Sequence, residues 1–170
     1  MNLQGKTVIV TGAARGIGQR YAMRMAEIGM NVIAADKADC SETVKKCYGS
    51  GKAIACTVDV ADMASVQKMV DLAVEKLGKI HVLVNNAALY GGLKGGRIEQ
   101  LSEAEWDACM AVNVKGVWNC SKAVIPIMRK QGGGSIVNIA SLAAVRGLPY
   151  SLHYATSKGA VIAMTRSMAR

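Results

Sequence analysis

The alternation of short apolar runs with longer amphipathic stretches restricts the folds open to this chain more than any other feature. Lys6–Thr11, Asn31–Asp36, Ala53–Val58, Ile80–Asn85 and Ser135–Ala140 are nearly continuous in Val, Ile and Ala. A strand with one wet face alternates apolar and polar residues. These runs do not, so they read as strands covered on both faces. Between them, Gly16–Ile28, Ser41–Tyr48, Asp62–Leu77 and Ser102–Lys130 carry apolar residues at helical spacing, and a last helix starts near Ser151–Tyr154 and runs to the end. Asp62 and Ser102 are good N-cap types, Glu105 follows Ser102 by three as in a capping box, and Gly29 and Gly78 stand where helices stop. Strand–helix alternation implies a parallel sheet with crossover helices on both faces. The expected fold class is α/β: a Rossmann-like, doubly wound, three-layer α/β/α domain spanning residues 1–170.

Composition excludes several function classes. Of the 170 residues, 51% are hydrophobic and 19% charged, which favours a packed core over disorder. The net charge is +9, yet no run of Lys or Arg is longer than a pair. A dispersed basic surface attracts an anionic cofactor; it does not form a nucleic-acid stripe. The five cysteines form no CxxC pair, so neither a disulfide framework nor a zinc site is expected, and reduced thiols suit a cytoplasmic protein. No signal-peptide pattern opens the chain, and no apolar stretch reaches the roughly 20 residues that span a bilayer. The stretch Gly91–Gly96 reads as a mobile loop, not a linker.

Two motifs carry chemistry. The first, Thr11-Gly12-Ala13-Ala14-Arg15-Gly16-Ile17-Gly18, follows the first apolar run and opens a helix. Gly12 permits a tight exit from the strand, Gly16 lets backbone approach a phosphate, and Gly18 lets the helix lie close to the sheet. Free N–H groups at the helix start then face a pyrophosphate. Asp36 ends the second strand, where a carboxylate accepts hydrogen bonds from the ribose hydroxyls of NAD and repels the 2′-phosphate of NADP. Lys37 and Arg15 are nearby cations that could weaken that repulsion, and a solvated strand end is the bland alternative for Asp36. NAD is the expected cofactor, with NADP the lesser candidate.

The second motif is Tyr154-Ala155-Thr156-Ser157-Lys158. Residues four apart share a helix face, so Tyr154 and Lys158 are neighbours. A free phenol has a pKa of about 10, and a nearby ammonium favours the phenolate. That makes Tyr154 a candidate acid/base; the alternative is a lysine stem packed on a tyrosine ring. Ser141 closes the last strand at its carboxyl end, where parallel sheets bind ligands, and could hydrogen-bond a substrate oxygen. Asn113, inside an apolar helix, suggests a polar network or else a solvent-facing bend.

These residues together resemble the short-chain dehydrogenase/reductase family over essentially the whole chain. The resemblance rests on TGAARGIG (11–18), Asp36, Asp59-Val60, Asn85-Asn86-Ala87, Asn113, Ser141 and YATSK (154–158), all in family order. It implies a catalytic tetrad. Tyr154 is the acid/base, Ser141 orients and polarises the substrate, Lys158 lowers the tyrosine pKa and binds the nicotinamide ribose, and Asn113 anchors a water of the proton relay. It also implies cofactor contacts from Gly12, Arg15, Gly16, Ile17, Gly18, Asp36, Asp59, Val60, Asn86, Ala87, Tyr154 and Lys158, with Asn85 near the adenosine ribose. Ala88 departs from the family's usual glycine. The implied reaction moves a hydride between NAD(H) and a secondary alcohol or ketone, and the implied assembly is a homodimer or homotetramer through the long helices. Family members run to about 250 residues, one α/β domain, so the last strands and the substrate lid are expected to be missing here. A nucleotide-binding, self-associating fragment without turnover is the competing expectation. The residues that shape the substrate pocket are expected in the missing segment and the loop Leu89–Leu101; His153 and Tyr150 flank the site, as contributors to it or as filler.

Overall fold

The computed structural model describes residues 3–169. Five parallel strands, β1 (Thr7–Thr11), β2 (Asn31–Asp36), β3 (Ala53–Thr57), β4 (Val82–Asn85) and β5 (Ser135–Asn138), lie in the order β3-β2-β1-β4-β5. The helices are α1 (Gly16–Glu27), α2 (Ser41–Lys46), α3 (Met63–Leu77), α4 (Glu103–Met110), α5 (Gly116–Lys130), α6 (Ala143–Arg146) and α7 (Leu152–Met168). This is the Rossmann-like order: the chain leaves β1 in one direction through β2 and β3, then returns to β1's other side as β4.

The strand pattern explains the two-sided sheet. Every residue of β1 is buried. Its Val8 and Val10 join Ala22 and Ala26 of α1 in one core, while Ile9 turns to the opposite face and packs with Val66, Met69 and Val70 of α3 and Val124 of α5. Period-2 alternation along β1 therefore supplies two cores. Each fully buried Ile or Val contributes about 1.5–3 kcal/mol of apolar transfer. At the sheet edge, β5 departs from the expected double coverage: Ser135 and Val137 remain exposed.

Several local expectations change in the structure: β4 begins at Val82 and not Ile80, and α2 ends at Lys46 and not Tyr48. The helix expected over Ser102–Lys130 is interrupted by a π-helical turn, Ala111–Lys115, between α4 and α5. The wide turn buries Asn113 and seats Gly116 against Val60, where an added Cβ would stand 2.7 Å from Val60 Cγ2. β5 closes at Asn138 and not Ala140. Two short elements, a 3₁₀ turn at Ile98–Gln100 and α6, are too brief to show a period. Finally, half of the expected capping box forms. Ser102 Oγ accepts from Glu105 N–H at 3.3 Å, but the Glu105 carboxylate turns away and accepts from the N–H groups of Lys94 and Gly95. Asp62 caps α3 as expected, accepting from Ala64 and Ser65.

Candidate functional site: a glycine turn beside a tyrosine–lysine helix

The carboxyl ends of β1 and β4 form the point where strand order reverses, the place where open parallel sheets bind ligands. Thr11 ties this point together. Its hydroxyl donates to Val84 O (3.2 Å) and accepts from Asn86 N–H and Ala87 N–H (both 3.1 Å). Asn86 completes the tie, its Nδ2 donating to Thr11 O (2.9 Å) and Gly12 O (3.2 Å).

The three glycines of the turn do different work. Gly12 has φ +68, and a Cβ there would lie 2.8 Å from Ala87 Cα. At Gly18 a Cβ would stand 2.0 Å from Gly12 O, so the helix rests on the turn itself. Gly16 has φ +60 but open space before it, with nothing within 4 Å of a Cβ position. The N-cap of α1, Arg15, makes no side-chain cap, and no acidic residue lies in the first turn. The start of α1 is thus without a side-chain cap, with open space before Gly16, a geometry that suits an anion site. Buried Thr43 braces the turn from behind, donating to Ala13 O at 2.8 Å. The residues present fit a dinucleotide: the uncapped helix start opens onto free space before Gly16 and is flanked by Gly12, Arg15 and Asp36.

A cleft of about 460 Å³ continues from the turn, lined by Gly12, Arg15, Asp36, Asp59, Val60 and Ala87 among others. Asp36 accepts from Ala14 N–H (Oδ2, 3.0 Å) and Ala38 N–H (Oδ1, 3.1 Å), so it orients the turn as well as the cleft. Lys37 pairs with Asp59 at 2.8 Å. That hydrogen bond, with one from Ala61 N–H, holds the Asp59 carboxyl below the usual carboxylate range. Ile17 is exposed at the start of α1. Asn85 points away from the cleft: its buried amide donates to Ser121 Oγ (3.2 Å) and Asn138 Oδ1 (2.8 Å).

Tyr154 and Lys158 lie on one face of α7, with Lys158 Nζ 5.9 Å from the Tyr154 ring centre. Lys158 is buried and donates to Ile139 O at 2.6 Å. Burial pushes its ammonium below the ordinary lysine value. Ser141 lies in the segment after β5, its Oγ accepting from Ala143 N–H at 3.1 Å. Asn113 is wholly buried, and its amide is engaged by protein: Oδ1 accepts from Leu89 N–H (2.7 Å), while Nδ2 donates to Leu89 O (3.1 Å) and Ser157 Oγ (3.0 Å). Ser157 in turn donates to Tyr154 O at 2.7 Å. So Asn113 links the segment after β4 to the helix that carries Tyr154.

The roles of several residues of this site escape sequence reasoning. Thr11, Thr43 and Ser157 act through single hydroxyls with no spacing rule of their own. Tyr90 rests on Tyr154, ring centres 4.7 Å apart and planes tilted by 48°. Its signal was only its place in a loop already suspected of lining the substrate.

Comparison with known proteins agrees with this geometry. The family model described as short chain dehydrogenase matches residues 6–170, and the chain belongs to that family. Over 100% of its length it is 39% identical to a 3-oxoacyl-[acyl-carrier-protein] reductase of Thermotoga maritima, covering 69% of that protein. It is 34% identical to an uncharacterized NAD-dependent oxidoreductase of Mycobacterium tuberculosis, covering 66% of it. The crystal structure of levodione reductase superimposes with a TM-score of 0.93 at 30% identity, matched over 98% of this chain and 66% of that one. The chain thus spans about two thirds of the length of these relatives.

Proposed function

We propose that residues 1–170 form one dinucleotide-binding unit of an oxidoreductase that interconverts a secondary alcohol and a ketone with NAD(H), Tyr154 handling the proton. The single observation carrying this reading is the placement of the Tyr154–Lys158 pair next to the segment that bears Ser141, in the domain whose glycine turn presents uncapped helix N–H groups. A nicotinamide, when bound, supplies the hydride acceptor or donor. Everything else falls to the chain. Gly16 and the first turn of α1 hold the pyrophosphate, and Asp36 takes the adenosine ribose hydroxyls. Tyr154 accepts the hydroxyl proton of the alcohol, or returns it to the ketone oxygen. Lys158 places its ammonium beside the ring, 5.9 Å from the ring centre. One of its three N–H groups goes to Ile139 O, leaving two to reach a ribose. Ser141 Oγ accepts from Ala143, so its O–H remains to donate to the substrate oxygen. Asn113 acts by position, holding Leu89 and Ser157.

NAD is favoured over NADP because the Lys37 cation is drawn to Asp59, leaving the Asp36 carboxylate to repel a 2′-phosphate. Self-association through the long helices is supported by Trp118 on α5, 47% exposed with Lys122 over its ring. A reducing, cytoplasmic setting suits five free thiols.

The test is Tyr154→Phe, assayed for NADH formation with a panel of secondary alcohols. Phe keeps the ring against Tyr90 and removes the hydroxyl. A general acid/base contributes about 10²–10⁴-fold, so turnover should fall by that factor, well beyond any change in NADH affinity. Undiminished turnover removes Tyr154 from the mechanism. NADH binding with no turnover in the parent chain favours a non-catalytic nucleotide-binding unit.

A further inference from the structure

A hollow of about 690 Å³ lies beside α7, with Ala155, next to Tyr154, in its wall. Its apolar walls include Ile98, Leu148, Tyr150 and Leu152. Two cations, Arg97 and Arg146, also line it, with Glu99 as the one carboxylate. We infer that this hollow takes the distal part of a substrate that is apolar along its length and ends in an anionic group, a carboxylate or a phosphate. The inference rests on the reading of Tyr154 as the reaction centre and extends it to a substrate class.

Three observations carry it. First, the apolar wall stands open: Ile98 is 73%, Tyr150 67% and Leu152 40% exposed. Clustered large apolar groups around a concave site of this size mark a place for an apolar ligand. Second, the charge is unanswered. Neither Arg97 nor Arg146 is paired with a carboxylate among the described residues. A guanidinium presents a planar fork that matches carboxylate and phosphate oxygens two at a time. Across the ridge formed by Ile98 and Leu152, a second hollow of about 480 Å³ carries Glu103 and Asp107 and no cation. An anionic terminus is therefore directed to the arginine side.

Third, the hollow is built, because its two walls are fastened together. Gly96 N–H donates to Tyr150 O at 2.9 Å. Gly95 approaches the same carbonyl so closely that a Cβ would stand 2.2 Å from it. The Glu105 carboxylate holds the N–H groups of Lys94 and Gly95 and lies 3.7 Å from Nε2 of fully buried His153. Tyr150 itself has φ 61, a conformation that costs a bulky residue energy and persists only where its surroundings hold it. Loop and helix thus form one preorganised wall, which lowers the ordering cost of binding.

The test uses the full chain, with octanoate, monooctyl phosphate and neutral octanamide as probes in calorimetric titrations, and NADH titrated separately. At least one anionic probe should bind tenfold or more tighter than octanamide, with the preference shrinking as salt is raised. Octanoate ahead of octyl phosphate assigns a carboxylate end; the reverse order assigns a phosphate. The double variant Arg97→Gln/Arg146→Gln should abolish the preference, with circular dichroism confirming the fold. Equal binding of all three probes overturns the inference, as does a preference that survives in the double variant. Failure of NADH to bind counts against the proposed function instead, and the probe titrations still read the hollow by themselves.

Discussion

Gly18→Ala is the sharpest test of how the cofactor turn is built. The added methyl would stand 2.0 Å from Gly12 O, 2.7 Å from Gly12 C and 2.5 Å from Asn86 Nδ2. Two of these three atoms are backbone, so α1 or the turn must move by an ångström or more. That movement also breaks the Asn86 bonds to Thr11 O and Gly12 O. Overpacking costs about 1–3 kcal/mol, and each lost hydrogen bond about 0.5–1.5 kcal/mol. A total near 3 kcal/mol lowers the melting temperature by about 6–12 °C for a chain of this size. Gly16→Ala is the control, with φ +60 but open space in front of it. Its left-handed backbone costs roughly 1–2 kcal/mol, while its methyl occupies the space assigned to the pyrophosphate. The expected pattern is a dissociation. Gly18→Ala loses stability and NADH binding together, whereas Gly16→Ala loses tenfold or more in NADH affinity with a smaller drop in melting temperature, about 2–8 °C. Differential scanning fluorimetry with and without NADH reads both. A Gly18→Ala protein that melts within 2 °C of the parent (about the shift produced by under 1 kcal/mol) refutes the reasoning.

Other consequences are equally open to measurement. Lys158→Met should stay within about 1 kcal/mol of the parent at pH 7, because a buried ammonium gives way to an apolar side chain of similar length. Burial holds the folded-state pKa of Lys158 below 10.5, so the unfolded chain keeps this proton to higher pH and the parent gains stability relative to the variant as pH climbs toward 10.5. Urea melts at pH 7 and pH 10 decide it; a loss above about 3 kcal/mol at pH 7 would mark the ammonium as a structural necessity. Asp36→Ala removes the acceptor for Ala14 and Ala38 and the repulsion of a 2′-phosphate, so the NADPH-to-NADH affinity ratio should rise at least tenfold; an unchanged ratio counts against Asp36 as the discriminating group. Burial pushes the thiols of Cys40 and Cys120 up to about 12 and raises that of buried Cys109. Burial raises the Cys47 and Cys56 thiols as well, but these two are partly exposed while Cys40, Cys109 and Cys120 are buried, so a thiol reagent at pH 8 should reach Cys47 and Cys56 first in the folded chain and all five cysteines in denaturant; equally fast reaction of a third thiol contradicts the packing.

Some of the site is legible in the sequence, because each signal is carried by residues close together in the chain. The glycines at 12, 16 and 18, with an apolar strand before them, a helix after and Asp36 ending the next strand, announce a tight strand-to-helix turn. Tyr154 and Lys158, four apart, share a face on any helix. The cap of α3 is read from Asp62 and the two residues it bonds. Asn113 shows the limit. Its presence in an apolar stretch suggested a polar network, but its partners Leu89 and Ser157 lie 24 and 44 positions away. No local pattern announces the π-helical turn that delivers it. Glu105 shows how a correct local rule is overridden: two loop N–H groups at Lys94 and Gly95 compete for the carboxylate that a capping box would use.

The amino-acid order alone determined a parallel α/β sheet, because unbroken runs such as Val8-Ile9-Val10 are buried by helices on both sides, and it set the glycines of the turn after β1 and placed Tyr154 and Lys158 four apart on one helix. Folding in three dimensions decided the rest. It set Thr11 against Asn86 and Ala87, 75 and 76 residues on, joined Asn113 to Ser157, laid Tyr90 on Tyr154 and fastened Gly96 to Tyr150. Periodicity and capping act between neighbours a turn or a strand apart, so the chain spells them out. A hydrogen bond between distant segments depends on where the sheet and helices carry both ends, and that is fixed only when the cores on the two faces have packed.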